Sequence, residues 1–235
     1  ASSQVWSEPK NITNDSYHDS FPDICIDNNG VLHCVWVKQF ETSYRAIYYS
    51  KSTNQGYSWY PAYKISQFTA GVCYKPLIEC DSYNNLYVVY KYEGSDTNLT
   101  NCYFTKFEDQ DWTTPVPPCE DGCGTPTLVV MDHNDRFNIF WSSPSGTPRY
   151  KYHENGLWSE MINIYSNFNP NLYLEAAVSD AGNNLHCIGY VSQLPVYLYY
   201  NFSTDEWFQP YPVGIQSDIF EYEDIAVDSQ VNPLL

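Results

Sequence analysis

Short runs of alternating apolar and polar residues, separated by turn-forming residues, recur along the whole chain. Residues 32–37 alternate and predict a β-strand, and residues 22–27 form a β-rich run just before them. Residues 28–30, Asn-Asn-Gly, join the two because asparagine and glycine tolerate positive φ. A third strand is predicted at residues 46–50 and a fourth near Trp59. No stripe of 3.6-residue period reaches helix length, so the pattern predicts an all-β chain.

This four-strand pattern repeats, and two residue types mark each copy. Five tryptophans and five aspartates strictly alternate, at spacings of 46–53 and 48–54 residues respectively. The tryptophans are Trp6, Trp59, Trp112, Trp158 and Trp207, and the aspartates are Asp27, Asp81, Asp132, Asp180 and Asp228. A period of about 50 residues indicates a repeat architecture, and four short antiparallel strands per repeat are typical of a β-propeller blade.

The two ends of the chain predict how the ring closes. The chain opens with Trp6 and one fourth-strand segment, and it ends with one first strand at residues 223–228 and the start of a second at Pro233. Pairing the two ends hides exposed strand edges and predicts a single five-bladed domain over residues 1–235, whose last blade lacks a strand. The predicted blades cover about 20–66, 74–118, 125–166, 173–214, and 1–14 together with 221–235.

Charge excludes two classes of partner. The chain carries 28 acidic against 11 basic residues, a net charge of −17. Binding nucleic acid needs a basic footprint, so nucleic acid is not an expected partner, and anionic membrane surfaces are excluded for the same reason. No run of about 18 apolar residues is present, so membrane insertion is not expected.

Cysteines and glycosylation sequons favour a secreted or cell-surface protein. The cysteines number eight, and Cys119 and Cys123 have C-x3-C spacing without a second pair, which favours a disulfide over zinc. Cys25 and Cys34 flank the first Asn-Asn-Gly turn, so a cross-strand bridge between them is one of many pairings. The glycosylation candidates are Asn11, Asn14, Asn98 and Asn201.

Residues 52–59, Ser-Thr-Asn-Gln-Gly-Tyr-Ser-Trp, resemble the Asp-box S-x-D-x-G-x-x-W of the bacterial neuraminidase repeat, or sialidase-like, propellers, with Asn54 in place of the aspartate. Residues 155–158 and 203–207 are shortened copies. The resemblance implies a turn between third and fourth strands on the face away from an active site. It also implies that Trp59 and its equivalents pack between blades. The repeated aspartates are expected to cap the first turns by hydrogen bonds to the backbone.

Sialidase activity itself is not expected. The resemblance implies three arginines that converge on a substrate carboxylate, because bidentate guanidinium pairs hold that group. The three arginines here are Arg45, Arg136 and Arg149. Arg45 and Arg149 precede third strands, at the end where first strands begin, whereas Arg136 lies in a turn at the opposite end. The blade assignment therefore keeps them apart.

The funnel where first strands begin supplies the other candidate ligand-binding residues. Arg45 and Arg149 belong to this set. The full set is Asp23, Arg45, Lys75, Arg149, Glu175, Glu223 and Asp224. Five-bladed furanosidases use carboxylates in such a funnel as acid and base, although an acidic protein places carboxylates on every solvated rim. The same acids could hold Ca²⁺, but no ligand loop supports it, and no other cofactor is expected. His33 and His186 occupy equivalent second-strand positions and are expected to pack structurally.

Aromatic residues make up 17% of the chain, including 23 tyrosines, which suit the recognition of sugars and proteins. We therefore expect a non-catalytic, secreted or surface propeller that binds glycans or other extracellular proteins. Two further functions stay open. One is a structural subunit of an extracellular assembly, in which self-association completes blade five. The other is a five-bladed glycoside hydrolase that uses the funnel carboxylates.

Overall fold

The computed structural model describes residues 8–41, 44–94, 100–119, 123–143, 147–164, 172–191, 194–208, 210–213, 225–227 and 233–234. These residues form strands and turns, and none of them lies in a helix. The strands fall into four successive antiparallel groups along the chain, which we call units 1 to 4. A short parallel pairing of Tyr44 and Arg45 with Gly71 and Val72 joins units 1 and 2 into one eight-stranded sheet. The predicted all-β class is therefore confirmed.

Each unit begins with three long strands and ends with short pieces. Unit 1 comprises β1 (His18–Ile26), β2 (Leu32–Glu41), β3 (Tyr44–Ser52) and β4 (Tyr63–Lys64). Unit 2 comprises β5 (Gly71–Cys80), β6 (Leu86–Glu93), β7 (Thr100–Glu108) and β8 (Asp111–Trp112). Unit 3 comprises β9 (Pro126–Met131), β10 (Phe137–Ser142), β11 (Pro148–Glu154), β12 (Leu157–Trp158) and β13 (Ile162–Asn163). Unit 4 comprises β14 (Leu172–Ser179), β15 (Leu185–Val191), β16 (Leu194–Asn201), β17 (Glu206–Trp207) and β18 (Tyr211–Pro212).

The fourth position of each unit departs from the continuous strand that the pattern predicts. In units 3 and 4, two separate two-residue strands pair with the same third strand: β12 and β13 with β11, and β17 and β18 with β16. In unit 2 only an isolated bridge between Phe104 and Val116 follows β8. Pro115 and Pro117 flank that bridge. Proline cannot donate a ladder hydrogen bond, so in unit 2 the outer edge beyond β8 is reduced to this single bridge.

A two-stranded sheet follows unit 4. Strands β19 (Ala226–Val227) and β20 (Pro233–Leu234) are antiparallel, at the positions expected for the first and second strands of a fifth unit. Ile225, just before β19, is buried against Ile188 and Tyr197 of unit 4. Of the N-terminal segment predicted to close the ring, residues 8–14 are described and form no strand, so the predicted fourth strand there was wrong over these residues. Trp6 and Asp228 lie outside the described residues.

The core lies between the sheets. One face of each unit packs on the opposite face of the next, which is how propeller blades pack. Val35 and Tyr49 of unit 1, for example, share a buried cluster with Ile78 and Tyr90 of unit 2. Equivalent clusters join unit 2 to unit 3 and unit 3 to unit 4. Each fully buried large apolar side chain, such as that of Phe140, contributes about 1.5–3 kcal/mol to stability.

Three of the marker tryptophans lie in these interfaces, as predicted. The ring of Trp112 lies 5.4 Å from that of Tyr49, and its indole N–H donates to the Tyr63 hydroxyl at 3.1 Å, both in the preceding unit. Trp158 contacts Phe104 of unit 2 at 5.1 Å, and Trp207 contacts Tyr150 and Phe140 of unit 3 at 5.6 and 6.1 Å. Trp59 is half-buried and takes part in no core cluster among the described residues.

Two disulfides are present among the described residues. Cys119 bonds to Cys123, as expected from the C-x3-C spacing. Cys25 bonds to Cys80 and joins the first strands of units 1 and 2, so the pairing of Cys25 with Cys34 was wrong. The register explains the error: Cys25 lies opposite His33, so Cys34 projects from the other face of the sheet. Cys34 is a buried free thiol.

Candidate functional site

The four described marker aspartates build identical turns between first and second strands. Oδ1 of Asp27 accepts hydrogen bonds from the backbone N–H groups of Asn29 and Val31, at 2.9 and 2.8 Å. Asp81, Asp132 and Asp180 accept from the residues two and four positions ahead in the same way. The third residue after each aspartate has positive φ: Gly30, Asn84, Asp135 and Asn183. The predicted capping role is therefore confirmed for these four aspartates.

The second oxygen of each aspartate reaches a side chain of the second strand. Its partner is His33 at 3.4 Å in unit 1, Tyr87 at 3.0 Å in unit 2, Arg136 at 2.9 Å in unit 3 and His186 at 3.1 Å in unit 4. Both histidines also contact a tyrosine hydroxyl through Nδ1. They are thus buried parts of the scaffold, as expected, rather than catalytic groups.

We call the end of the molecule that carries these turns the turn end. Here the first three units are tied together through polar side chains. The backbone N–H and the hydroxyl of Ser82 both donate to the Asp135 carboxylate at 2.6 Å, which links unit 2 to unit 3. Asn28 links unit 1 to unit 2. Its backbone N–H donates to Asn84 Oδ1 and its side-chain amide donates to the Ser82 carbonyl, both at 2.9 Å. These hydrogen bonds therefore hold the first turns of units 1 to 3 in position relative to one another.

Two cavities open between these turns. The inner cavity, of about 310 Å³, lies among the first turns of units 1 to 3, with Glu79 and His133 in its lining. The outer cavity, of about 290 Å³, lies between units 2 and 3 and includes the hairpin at Asn155 and Gly156. Asp81 and Asp135 line both cavities, so the two are adjacent.

The outer cavity presents groups that can bind hydrogen-bonding ligands. His153 lines it, is only 8% exposed, and makes no side-chain hydrogen bond within the described part of the chain. The rings of Phe104 and Trp158 hold it at 5.0 and 5.1 Å. Burial, and secondarily the charge of Lys106, lower the pKa of His153. A neutral imidazole offers one donor and one acceptor.

The rim of the outer cavity adds an exposed aromatic ring and two amides. Tyr83 is 78% exposed. Asn134 and Asn155 are also exposed, and among the described residues neither side chain makes a hydrogen bond. A planar ring beside free amide donors and acceptors is a combination that suits a sugar, which has apolar faces and a rim of hydroxyls.

Glu79 lines the inner cavity, and its pKa is raised. Burial, followed by the nearby negative charge of Asp23, raises the pKa of Glu79 to about 7, although the backbone N–H groups of Cys80 and Met131 favour its charged form. Burial also raises the pKa of Asp23, whose carboxylate accepts from the N–H of Ile78 at 2.8 Å. Glu79 therefore exchanges its proton near neutral pH, a property shared by many functional carboxyl groups.

Of the funnel candidates, Asp23 is tied to β5 by the hydrogen bond just described. Lys75 is exposed, at a bulge with φ of 41°. Arg45 lies over the Tyr74 ring at 5.3 Å, and Glu175 is half-buried at the bulge of β14. Glu223 and Asp224 lie outside the described residues.

The three arginines are separated. Arg45 and Arg149 are each the second residue of a third strand, β3 and β11, at the end opposite the turns. Arg136 lies at the turn end, where its guanidinium packs between the rings of Tyr152 and Phe202 at 4.8 and 4.2 Å and pairs with Asp132. Arg136 therefore braces units 3 and 4.

Among the glycosylation candidates, Asn11 and Asn14 are exposed. Asn201 is half-buried, and its side chain accepts hydrogen bonds from the N–H and hydroxyl of Ser203 within the same sequon. Asn98 lies outside the described residues. In the described part of the chain, no three histidine, cysteine or acidic side chains could together hold a metal ion, and no helix could cross a membrane.

The site residues Glu79, Tyr83 and His153 escaped the sequence analysis. Glu79 carries no motif, and the resemblance directed attention away from the turn end. One signal was present: His153 lies at the end of a third strand, shortly before the Asn155–Gly156 turn, so it could be placed near that end.

No family model matches this chain, and no curated protein matches it by sequence. Solved structures do match its fold. A Dyadobacter fermentans protein of unknown function aligns with a TM-score of 0.66 at 10% identity, over 92% of this chain and 74% of that one. The intramolecular trans-sialidase of Ruminococcus gnavus aligns with a TM-score of 0.62 at 8% identity, over 83% and 71%.

A polysaccharide lyase of family PL25, an ulvan lyase, aligns with a TM-score of 0.55 at 11% identity. The alignment covers 81% of this chain but only 54% of the lyase, so this chain matches about half of that enzyme. At such low identities the similarities show a common fold, of the kind found in sialidases, and do not transfer an activity.

Proposed function

We propose that the chain is a five-bladed, sialidase-like β-propeller that is secreted or displayed at a cell surface and binds glycans without cleaving them. Four consecutive units that pack on one another, followed by the paired β19 and β20, support the five-unit ring. The Asn54 turn supports the Asp-box assignment, because Asn54 Oδ1 accepts from the Ser58 N–H at 2.9 Å and Ser52 Oγ accepts from the Gly56 N–H at 2.9 Å. The two disulfides support an oxidising compartment.

The outer cavity carries the glycan-binding proposal. It combines the buried, unpartnered imidazole of His153 with the exposed ring of Tyr83 and two free amides. A ligand hydroxyl could accept from the ring N–H of His153 or donate to its other ring nitrogen. This unfilled hydrogen-bonding capacity is the property expected of a binding site.

The cavity lacks the paired carboxylates that glycoside hydrolysis requires. Both oxygens of Asp81 and both of Asp135 already accept hydrogen bonds within the turns. Glu154 is then the one carboxylate of the outer cavity without such a bond among the described residues. A single free carboxylate can orient a hydroxyl, but glycoside hydrolysis needs a second carboxylate as nucleophile or as the partner in acid–base catalysis.

A glycan array tests the proposal, with wild type and His153→Ala, Tyr83→Ala and Tyr57→Ala variants. Tyr57 is a matched control because it is 74% exposed on a turn of unit 1, away from the cavity. We expect wild type and Tyr57→Ala to bind the same glycans. Loss of the Tyr83 ring should weaken binding by about 0.5–1.5 kcal/mol, or roughly 3- to 10-fold, and loss of His153 by more. Absence of binding to every glycan would refute the proposal.

Incubation with a panel of aryl glycosides tests the non-catalytic part. We expect no turnover by wild type. Turnover that falls in a Glu175→Gln variant would instead support the funnel hydrolase.

A further inference from the structure

We propose that the buried thiol of Cys102 exchanges with the Cys119–Cys123 disulfide, so that a Cys102–Cys123 bond forms and Cys119 becomes the free thiol. The three cysteines then form one thiol–disulfide exchange site at the junction of units 2 and 3. This inference is independent of the proposed glycan binding.

The three cysteines of this site lie together in the core. Cys102 is on β7, the third strand of unit 2, and it shares one buried cluster with Cys119 and Cys123. Two other free thiols lie elsewhere: Cys73 belongs to the cluster between units 1 and 2, and Cys187 belongs to the cluster between units 3 and 4. Cys102 is therefore the free thiol that shares a cluster with this disulfide.

Backbone contacts place Cys123 directly beside Cys102. The N–H of Cys102 donates to the Cys123 carbonyl at 3.3 Å, and the N–H of Cys123 donates to Asn101 Oδ1 at 2.9 Å. Residues that share such a backbone hydrogen bond have Cα atoms roughly 5–6 Å apart, and disulfides span Cα atoms about 4.4–6.8 Å apart. A Cys102–Cys123 bond is therefore compatible with the observed backbone.

The segment that leads into Cys119 has few bonds to β7. Phe104 and Val116 exchange backbone hydrogen bonds at 2.8 and 2.9 Å in an isolated bridge. Pro117 and Pro118 follow, and neither has an N–H to donate. The Pro118 carbonyl accepts from Lys151 Nζ of unit 3 at 2.9 Å, so this contact does not hold the segment to β7. Edges with few hydrogen bonds open locally at low cost in free energy, which gives the Cys102 sulfur access to the disulfide.

The exchange is balanced within the molecule. The Cys102 thiol loses its proton, its sulfur attacks Cys123 Sγ, and the bond between the sulfurs of Cys119 and Cys123 breaks. Cys119 leaves as a thiolate and takes up a proton. One disulfide and one thiol are present before and after, so neither an oxidant nor a reductant is needed. The closed loop grows from residues 119–123 to residues 102–123, and a longer loop restricts the unfolded chain more strongly.

Burial of Cys102 controls the rate of exchange. Its side chain is 1% exposed, and burial raises the pKa of its thiol. Only the thiolate attacks a disulfide, so exchange is slow at neutral pH and becomes about tenfold faster for each unit of pH.

Peptide mapping after differential alkylation tests the proposal. The folded, oxidised protein is kept for two days at pH 6.5, 7.5 and 8.5 without added thiol, and samples are quenched in acid. They are then unfolded and labelled with N-ethylmaleimide. We expect Cys119 to gain label as Cys102 loses it, in equal amounts and about tenfold faster for each unit of pH. The labelling of Cys73 and Cys187 should stay constant.

Two variants identify the attacking thiol. Cys102→Ala removes it, so Cys119 should stay unlabelled at every pH. Cys187→Ala is the matched control, because it removes a fully buried free thiol of unit 4 and should release Cys119 at the wild-type rate. Circular dichroism checks that both variants fold, and the wild-type measurement decides the question if one of them does not.

Four results would overturn the proposal. The first is Cys119 that stays unlabelled in wild type at pH 8.5, and the second is release of Cys119 that persists in Cys102→Ala. The third is an equal loss of label from Cys102, Cys73 and Cys187, which would indicate exchange through global unfolding. The fourth is release of Cys123 in place of Cys119, which contradicts the assigned pairing.

Discussion

Replacing Glu79 by glutamine should make the protein more stable at neutral and alkaline pH. The folded protein raises the pKa of this carboxyl from 4.5 to about 7, chiefly by burial. Between these two values the folded state holds a proton that the unfolded state has lost. The stability contributed by the protonated group is therefore fully present below pH 4.5 and is lost as the pH rises through about 7. Glutamine stays neutral throughout and avoids this loss.

The size of the effect follows from the shift. One pKa unit corresponds to 1.36 kcal/mol, so a rise of roughly 2.5 units penalises the charged carboxylate by up to about 3 kcal/mol. Glutamine also keeps a side-chain oxygen that can accept from the N–H groups of Cys80 and Met131. The free energy of unfolding of Glu79→Gln minus that of wild type should thus increase by about 2–3 kcal/mol from pH 5 to pH 8.5.

Urea unfolding at pH 5, 6, 7 and 8.5 measures this difference, provided that the slope of the free energy against urea concentration is equal in both proteins. Glu160→Gln is the control, because Glu160 is an exposed carboxylate of unit 3 and its replacement should change little at any pH. A difference between Glu79→Gln and wild type that stays within about 0.5 kcal/mol across the whole range would show that Glu79 is not desolvated in the folded protein.

Three other perturbations test the scaffold. Asp81→Ala removes two backbone caps and the partner of the Tyr87 hydroxyl, so chemical denaturation should show a loss of about 2–4 kcal/mol; a loss below 1 kcal/mol would contradict the capping role. The double variant Cys25→Ser, Cys80→Ser should lose about 2–5 kcal/mol of unfolding free energy. In thermal unfolding, a reductant should lower the melting temperature of wild type more than that of this variant. Burial lowers the pKa of His33, so the stability that the neutral imidazole contributes is present above about pH 6.5 and is lost as the pH falls. From pH 7 to pH 5 the free energy of unfolding should therefore fall less in His33→Gln than in wild type. An equal fall in both proteins would count against burial as the cause.

Local features of the chain were predictable to the residue. The turn that follows Asp27 depends on one carboxylate, two backbone N–H groups and a glycine with positive φ, all within five positions. Strand alternation is likewise a property of neighbouring residues, so the start of β2 at Leu32 was predicted, although the strand continues to Glu41, four residues beyond the predicted end. The fourth strands were less predictable. An edge segment interrupted by proline keeps its apolar pattern in the sequence, although proline prevents a continuous ladder of backbone hydrogen bonds.

The candidate site was not predictable in the same way. Tyr83 and Asn134 come from the first turns of units 2 and 3 and His153 comes from the end of β11, and only the packing of unit 2 on unit 3 brings them to one cavity. Asp23 illustrates the same limit: it was expected at the start of a first strand, but β1 begins at His18, and its hydrogen bond from Ile78 of the next unit was not predicted.

By itself, the sequence determined the all-β class, the repeat of about 50 residues and the aspartate-capped turns, because each depends on residues close together in the chain. Only the tertiary structure decided that Cys25 bonds to Cys80, that Glu79 holds its proton to about pH 7, and that a cavity opens at the turn end. Each of these depends on which faces of successive sheets meet. Desolvation and enclosure arise from that contact between sheets and have no signature within a single strand.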